Sequence, residues 1–155
     1  MSPDAARRMR IPNFRLPDAM ARLGARLPQW PHAVALCTVL NLAVRLRLLP
    51  RDSIAQLEGR TFRVQAIDAG SEARLIWRNG MAQPLLSDRS DYDLTLRADV
   101  SAFLRLLARQ EDPDTLFFNR ELAIEGDTEL GLIVKNMLDA VDLAEVFRIF
   151  RGHAA

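Results

Sequence analysis

The chain has 155 residues, enough for one domain with one core, and 49% apolar against 26% charged residues is a globular composition that excludes disorder of the whole chain. One cysteine, Cys37, excludes an internal disulfide and a multi-cysteine zinc site, and fits a reducing, cytoplasmic setting. The net charge of +1 hides a gradient: residues 1–51 hold nine arginines against Asp4 and Asp18, while residues 52–155 are acidic in balance. That front end suits an anionic membrane surface or an acidic partner, or is a solvated, arginine-biased tail.

In chain order, residues 1–31 carry five of the eight prolines and read as a segmented basic arm ahead of a domain at 32–155. No secretory leader is expected there, because no compact apolar run is present. A short amphipathic helix fits residues 18–27, with Met20, Leu23 and Leu27 along one side. Residues 32–49 are apolar in nearly every helical direction and predict a buried helix. The uncharged run at 29–44 would span about 24 Å as a helix, short of a ~30 Å hydrocarbon core. Thr38 and Asn41 add to the cost of a span, so the reading is a core helix with Arg45 and Arg47 reaching to water.

From residue 59 the apolar period falls to two. Phe62, Val64 and Ala66 alternate with Arg63 and Gln65, and Leu75 and Trp77 mark a second strand. Asn79-Gly80 signals a tight hairpin, and residues 81–87 return as a strand that Pro84 places at an edge. Tyr92, Leu94 and Leu96 alternate with Asp93, Thr95 and Arg97, and Leu122 with Ile124 gives a fifth strand. Alternation of this kind predicts a mainly antiparallel sheet with one covered and one wet face. Asp99 is expected to cap a helix over 99–109, with Val100, Phe103, Leu104 and Leu107 on its inner side. Asp127 caps another, carrying Leu130, Ile133, Val134, Met137, Leu138 and Val141 at helical spacing. Asp142 and Glu145 form a capping-box-like pair ahead of Val146, Phe147, Ile149 and Phe150. The order of elements predicts an α+β fold.

Chemistry is hard to find in this pattern. His32 and His153 stand apart from any set of spaced metal ligands, and Cys37 inside an apolar helix reads as a structural thiol. The glycines form neither a P-loop nor a dinucleotide fingerprint. Asp88, Asp91 and Asp93 lack the EF-hand pattern and read as a solvated turn, and Glu111, Asp112 and Asp114 around Pro113 as an acidic loop. No catalytic residue, metal or cofactor is expected. The arm lacks interleaved aromatics, so nucleic acid is not an expected partner. The large apolar residues, Phe117 and Phe118 among them, are assigned by periodicity alone to filling a core.

One stretch adds more. Residues 117–136, FFNRELAIEGDTELGLIVKN, resemble the signature region of the sterol-carrier-protein type 2 domain. In that region a strand, here Leu122-Ala123-Ile124, passes through Gly126-Asp127 into an amphipathic helix. The glycine permits a tight turn and the aspartate accepts free amides at the helix start. The likeness extends over residues 32–150. It is similar to the bacterial branch of accessory factors in oxygen-independent ubiquinone biosynthesis.

That resemblance implies a five-stranded sheet covered by helices on one face, with an apolar tunnel between the layers and no chemistry of its own. It implies a lipid ligand, either a prenylated quinone precursor, a phospholipid or an acyl chain. The implied partners are the enzymes that hydroxylate the quinone ring, and the implied location is the cytoplasm, peripheral at the inner membrane. Wall or lid residues are expected at Phe103, Leu107, Phe118, Leu122, Ile124, Met137, Leu138, Val141, Phe147 and Phe150, with 146–150 as a movable lid. Membrane contact is expected from Arg7, Arg8, Arg10, Arg15, Arg45 and Arg47. The helix at 32–49 closes the tunnel, touches the bilayer or makes a homodimer. Two rival readings stand beside this one: an assembly protein of the same fold with a filled core, and a lipid-acting enzyme for which the sequence offers no polar constellation.

Overall fold

A computed structural model describes residues 11–86, 91–108, 110–140 and 152. The expectations at Arg7, Arg8, Arg10, Asp88, the Asp142–Glu145 pair, Val141, Phe147, Phe150 and His153 lie outside the described residues.

Three helices come first: α1 (Asp18–Arg26), α2 (Trp30–Arg45) and α3 (Arg51–Gln56). Strands β1 (Thr61–Ala66), β2 (Ser71–Arg78), β3 (Met81–Pro84) and β4 (Leu94–Ala98) follow. Helices α4 (Val100–Leu107) and α5 (Pro113–Phe118), strand β5 (Leu122–Gly126) and helix α6 (Thr128–Ala140) complete the described chain. The strands lie in the order β3-β2-β1-β4-β5. The β1–β4 pair is parallel and the other three pairs are antiparallel, so the mainly antiparallel α+β expectation holds.

The register explains the layers. Phe62 lies beside Leu75 and Leu94, Val64 beside Ala73 and Leu96, and Ala66 beside Ala98. Leu96 and Ala98 continue across to Ile124 and Leu122. Period-two alternation thus sums to one continuous apolar face. The opposite face carries Arg63, Glu72, Arg74, Gln65, Arg97 and Glu125. Glu72 lies 3.6 Å from both Arg63 and Arg74, the Arg97 guanidinium donates to Gln65 at 2.7 Å, and Arg63 stacks 5.3 Å over Tyr92. This is the wet face that the alternation predicts.

Helix α2 packs on β2 and β3. It begins at Trp30 rather than at residue 32 because a proline in the first turn costs no amide that a helix would use. It ends at Arg45 rather than 49. Arg47 has φ +57, which turns the chain out of the helix, and Pro50 then precedes α3, a helix absent from the expected elements. Asn41 has a particular task on α2. Its side chain donates to the Ala82 carbonyl at 2.9 Å and accepts from the Ala82 amide at 2.8 Å, supplying a partner to the edge strand β3.

The β2–β3 turn is the expected Asn79-Gly80 hairpin, with φ +55 and +71 and with Arg78 opposite Met81. Both turn amides donate to the Glu58 carboxylate. Strand β3 stops at Pro84, short of the expected residue 87, and lies at the sheet edge as a proline-bearing strand should. The fourth strand is shifted toward its C-terminus: Tyr92 precedes β4, and Asp93 instead accepts from the Thr61 amide at 2.8 Å.

Two caps differ from expectation. Asp99 occupies the N-cap of α4 but makes no side-chain cap bond there. The buried Asp68 accepts from the Val100 amide at 2.9 Å and, with its other oxygen, from the Leu16 amide at 2.9 Å. The acidic loop around Pro113 is a helix start: Asp112 accepts from the Thr115 amide at 2.7 Å and from its hydroxyl at 2.9 Å, opening α5. Those two bonds hold the Asp112 carboxyl below its ordinary value.

Candidate functional site: a seam between two apolar clusters

The covered face of the sheet carries two clusters of buried side chains. One gathers Cys37 of α2, Leu49, Leu57, Phe62, Leu75, Trp77, Leu94 and Leu96 with Leu130 and Met137 of α6. The other gathers Ala98, Ala102 and Leu106 of α4, Leu116 of α5 and Leu122. Ile124 packs against both and is itself only half-buried. The seam between the clusters therefore runs over β5, and half-buried apolar side chains gather there. Phe103 of α4 and Leu138 of α6 lean on the second cluster, and Ile133 and Val134 of α6 lean on the first.

Local sequence builds this seam. Gly126 has φ +121, and a Cβ there would stand 2.3 Å from the Asp93 carbonyl oxygen, so only glycine lets β5 turn against β4. Asp127 then accepts from the Leu130 amide at 3.0 Å, and its carboxylate pairs with Arg60 at 2.5 Å. The Leu130 amide first, and the Arg60 guanidinium after it, hold the Asp127 carboxyl below its ordinary value. Gly131 lets α6 approach the sheet: a Cβ there would meet Ile124 at 3.3 Å and Leu94 at 3.6 Å.

The sequence-derived wall residues fall into three groups. Leu122 and Met137 are buried, within the second and first clusters respectively. Phe103, Ile124 and Leu138 are brought together at the seam, and Leu107 is half-buried on α4. Phe118 stands apart, 79% exposed, packed edge-on against Phe117 at 5.9 Å. It borders a cleft of about 490 Å³ lined by Asp112, Asp114, Lys135 and Asp139. Phe117 and Phe118 end a six-residue helix, and its buried side is taken by Pro113 and Leu116.

Helix α4 is also rotated relative to expectation. Its buried side is Ser101, Ala102, Arg105 and Leu106, and Leu104 is 41% exposed. Arg105 is accommodated because Glu121 accepts from its guanidinium at 2.6 Å. Val64, Ile133 and Val134, half-buried against the first cluster, stand outside the expected set of wall residues. Strand alternation and helical spacing had already put them on the inner faces. The two clefts found at the surface are lined largely by polar residues, and no enclosed apolar tunnel is seen among the described residues.

Cys37 is buried, and burial pushes its thiol up to about 11, as befits a structural cysteine. Asp91 and Asp93 join no cluster able to hold a metal among the described residues. Arg15, Arg45 and Arg47 are exposed. Among the described residues no helix is long and apolar enough to cross a membrane.

With this architecture in view, comparison with known proteins is decisive. Residues 41–139 match the model of the SCP-2 sterol transfer family. The chain belongs to that family. It is 42% identical over 95 residues to proteins described as ubiquinone biosynthesis accessory factor UbiT from Escherichia coli strains K12 and O157:H7, a match covering 61% of this chain. The match covers 53% of each relative, so the chain spans about half the length of the curated relatives it matches. Among solved structures, a protein described as UbiJ-SCP2 ubiquinone synthesis protein superposes with a TM-score of 0.54 at 21% identity, over 69% of this chain and 92% of that one, a likeness of fold. The matched region of the family model runs from Asn41 across the whole sheet to the end of α6, and so contains the seam described above.

Proposed function

We propose that this chain is a non-catalytic, lipid-binding accessory factor for oxygen-independent ubiquinone biosynthesis. It holds a prenylated quinone precursor or a phospholipid against the apolar sheet face and presents the polar head to the enzymes that hydroxylate the ring. The observation that carries this reading is the seam at Ile124. There two separate apolar clusters leave half-buried aliphatic and aromatic side chains over a sheet that has no polar group on that face between Phe62 and Ile124. Removing an isoprenoid tail from water gives roughly 0.8 kcal/mol per methylene, so a few isoprene units confer useful affinity without enclosing a complete tail. Family membership and the likeness to UbiT support the same reading. The protein works in the cytoplasm, at the surface of the inner membrane.

Lipid extraction from the purified protein followed by mass spectrometry tests this. Stoichiometric prenylated quinone precursor or phospholipid is the expected result. A preparation that is persistently empty and refuses added prenylated quinones overturns it. The second reading, an assembly protein with a filled core, is favoured by the polar lining of the two surface clefts. It predicts that empty preparation together with retained binding to the biosynthetic enzymes.

A further inference from the structure

We infer that an apolar ligand reaches the seam through the cleft between α4 and α6, and that residues 11–16 are a strap that latches α4 shut beside this mouth. The inference rests on the reading of the seam as a lipid site and adds a route and a gate. The cleft has a volume of about 250 Å³. Leu106 and Leu138 line it from the two helices, and Gln110, Glu111 and Asp139 add a polar lining. Leu106 belongs to the second apolar cluster, and Leu138 packs against that cluster with Phe103 and Ile124. The cleft and the seam are thus separated by the thickness of two leucine side chains.

The strap is pinned at both ends of α4. The Ile11 amide donates to Gln110 Oε1 at 2.6 Å, just beyond the C-terminal end of that helix. The Leu16 amide donates to Asp68 Oδ2 at 2.9 Å, and Asp68 Oδ1 accepts from the amide of Val100, the first residue of α4, at 2.9 Å. From residue 11 to 16 an extended chain covers about 16 Å, and from residue 100 to 110 a helical rise covers about 15 Å. The strap therefore runs along α4 with little slack. Ile11, Phe14 and Leu16 are half-buried, while Pro12, Asn13 and Arg15 are exposed.

Local sequence lets the strap lift and return. Both pinned amides belong to residues that precede a proline, Pro12 and Pro17, and the proline ring holds the residue before it extended. A released strap thus keeps much of its shape, and reseating it costs little conformational entropy. Between the pins, the amides of residues 13–15 make no hydrogen bond among the described residues. Two hydrogen bonds and three half-buried side chains hold the segment down.

Position makes this strap a gate. Gln110 is both the acceptor of one pin and a lining residue of the cleft, so that pin sits at the mouth. At the other end one carboxylate fastens the strap and α4 together. The Asp68–Val100 bond caps α4 whether or not the strap is seated, so the helix survives release while its clamp is lost. Helix α4 has eight residues, and Ala102 and Leu106 are its members of the second cluster. So small an apolar contact leaves a short helix easy to tilt, and tilting it moves Leu106 away from Leu138 and opens the seam.

The test uses the full chain and removes each pin: Ile11→Pro and Leu16→Pro delete the donating amides, and Gln110→Met deletes the acceptor at the mouth while keeping the side-chain length. A first measurement needs no ligand. Leu106→Cys in a Cys37→Ala chain sets a thiol between cleft and seam, and its modification by an aromatic disulfide reagent is timed. The native Cys37, 3% exposed in the first cluster, is the control in chains that keep it. Each lost pin is expected to speed modification of Leu106→Cys about fivefold, the weight of one hydrogen bond, and to leave Cys37 unchanged. Equal acceleration at both thiols, which is general loosening, overturns the inference, and so does no acceleration at either. A second measurement follows the quenching of Trp77 by a prenylated quinone in Trp30→Phe chains. Entry and exit are both expected to speed about fivefold on loss of a pin, with the affinity unchanged. Affinity that falls while the entry rate stays constant makes the strap a wall rather than a gate, and overturns the inference. A chain that takes up no quinone but gives the expected thiol pattern refutes the lipid reading and upholds the mouth and its latch.

Discussion

Asn41→Ala isolates the way α2 is fastened over the sheet. The Asn41 side chain satisfies both the amide and the carbonyl of Ala82, a residue only 3% exposed on the edge strand β3. Truncation leaves a donor and an acceptor without protein partners at a buried position. Each such group costs about 1–3 kcal/mol, so the pair is expected to cost about 3 kcal/mol. For a domain of this size that lowers the melting temperature by about 6–12 °C. Equilibrium urea unfolding is the assay, with a lowered midpoint and an unchanged slope as the expected signature. The variant should also expose the free side of β3 and so aggregate more readily. An unfolding free energy within about 0.5 kcal/mol of wild type would refute the reasoning, because water would then be replacing the side chain at no cost.

Other consequences follow from the same geometry. Gly126→Ala places a Cβ against the backbone of Asp93 and Leu94 at a φ of +121, and should cost about 3 kcal/mol in urea unfolding; a stability equal to wild type would show that the turn relaxes freely. Asp68→Ala removes the acceptor shared by the Leu16 and Val100 amides, and should cost about 3 kcal/mol while speeding tryptic cleavage at the exposed Arg15. An unchanged cleavage rate would remove the proposed tie between residue 16 and the sheet layer. Cys37 gives a pH effect. Its thiol is raised from 9.0 to about 11 in the folded chain, so the folded state keeps a proton that the unfolded state releases. That contribution is complete below about pH 9 and declines as pH rises toward 11. Urea midpoints across that window should fall for the wild type more steeply than for Cys37→Ala; parallel curves would contradict the burial argument.

Much of the sheet was legible because one face is wet and the other covered. Alternation at Phe62–Val64–Ala66 and Leu94–Leu96 is a local record of that two-sidedness, and Asn79-Gly80 and Asp127 act on their own immediate neighbours. The features that escaped depend on distant partners or on short segments. The parallel pairing of β1 with β4 leaves no mark within either strand. Asp68 caps α4 from 32 residues away, and the residue at the N-cap, Asp99, gave a local signal for a cap bond that is not made. Helices α3 and α5 have six residues each, too few for an apolar period to emerge. Helix α4 turns Arg105 inward, against its local pattern, because an arginine counts as outward-facing until its partner, Glu121, is known. Helical spacing placed Met137 and Leu138 on the inner side of α6, whereas Phe118 is exposed because its short helix turns Leu116 inward instead. On α1 the apolar stripe was visible in the sequence. Its outward direction was not, since the contact between Gly24 and the 67–70 turn is long-range.

The central claim, that the inner sheet face receives an apolar tail, is tested most directly by titrating prenylated quinones of increasing tail length. Trp77 lies on that face and is 2% exposed; in a Trp30→Phe variant it is the sole tryptophan, and its quenching by the quinone reports occupancy. The account predicts a dissociation constant that tightens about tenfold or more with each isoprene unit until the seam is full. Affinity that stays flat with tail length, or emission that never changes, would contradict it.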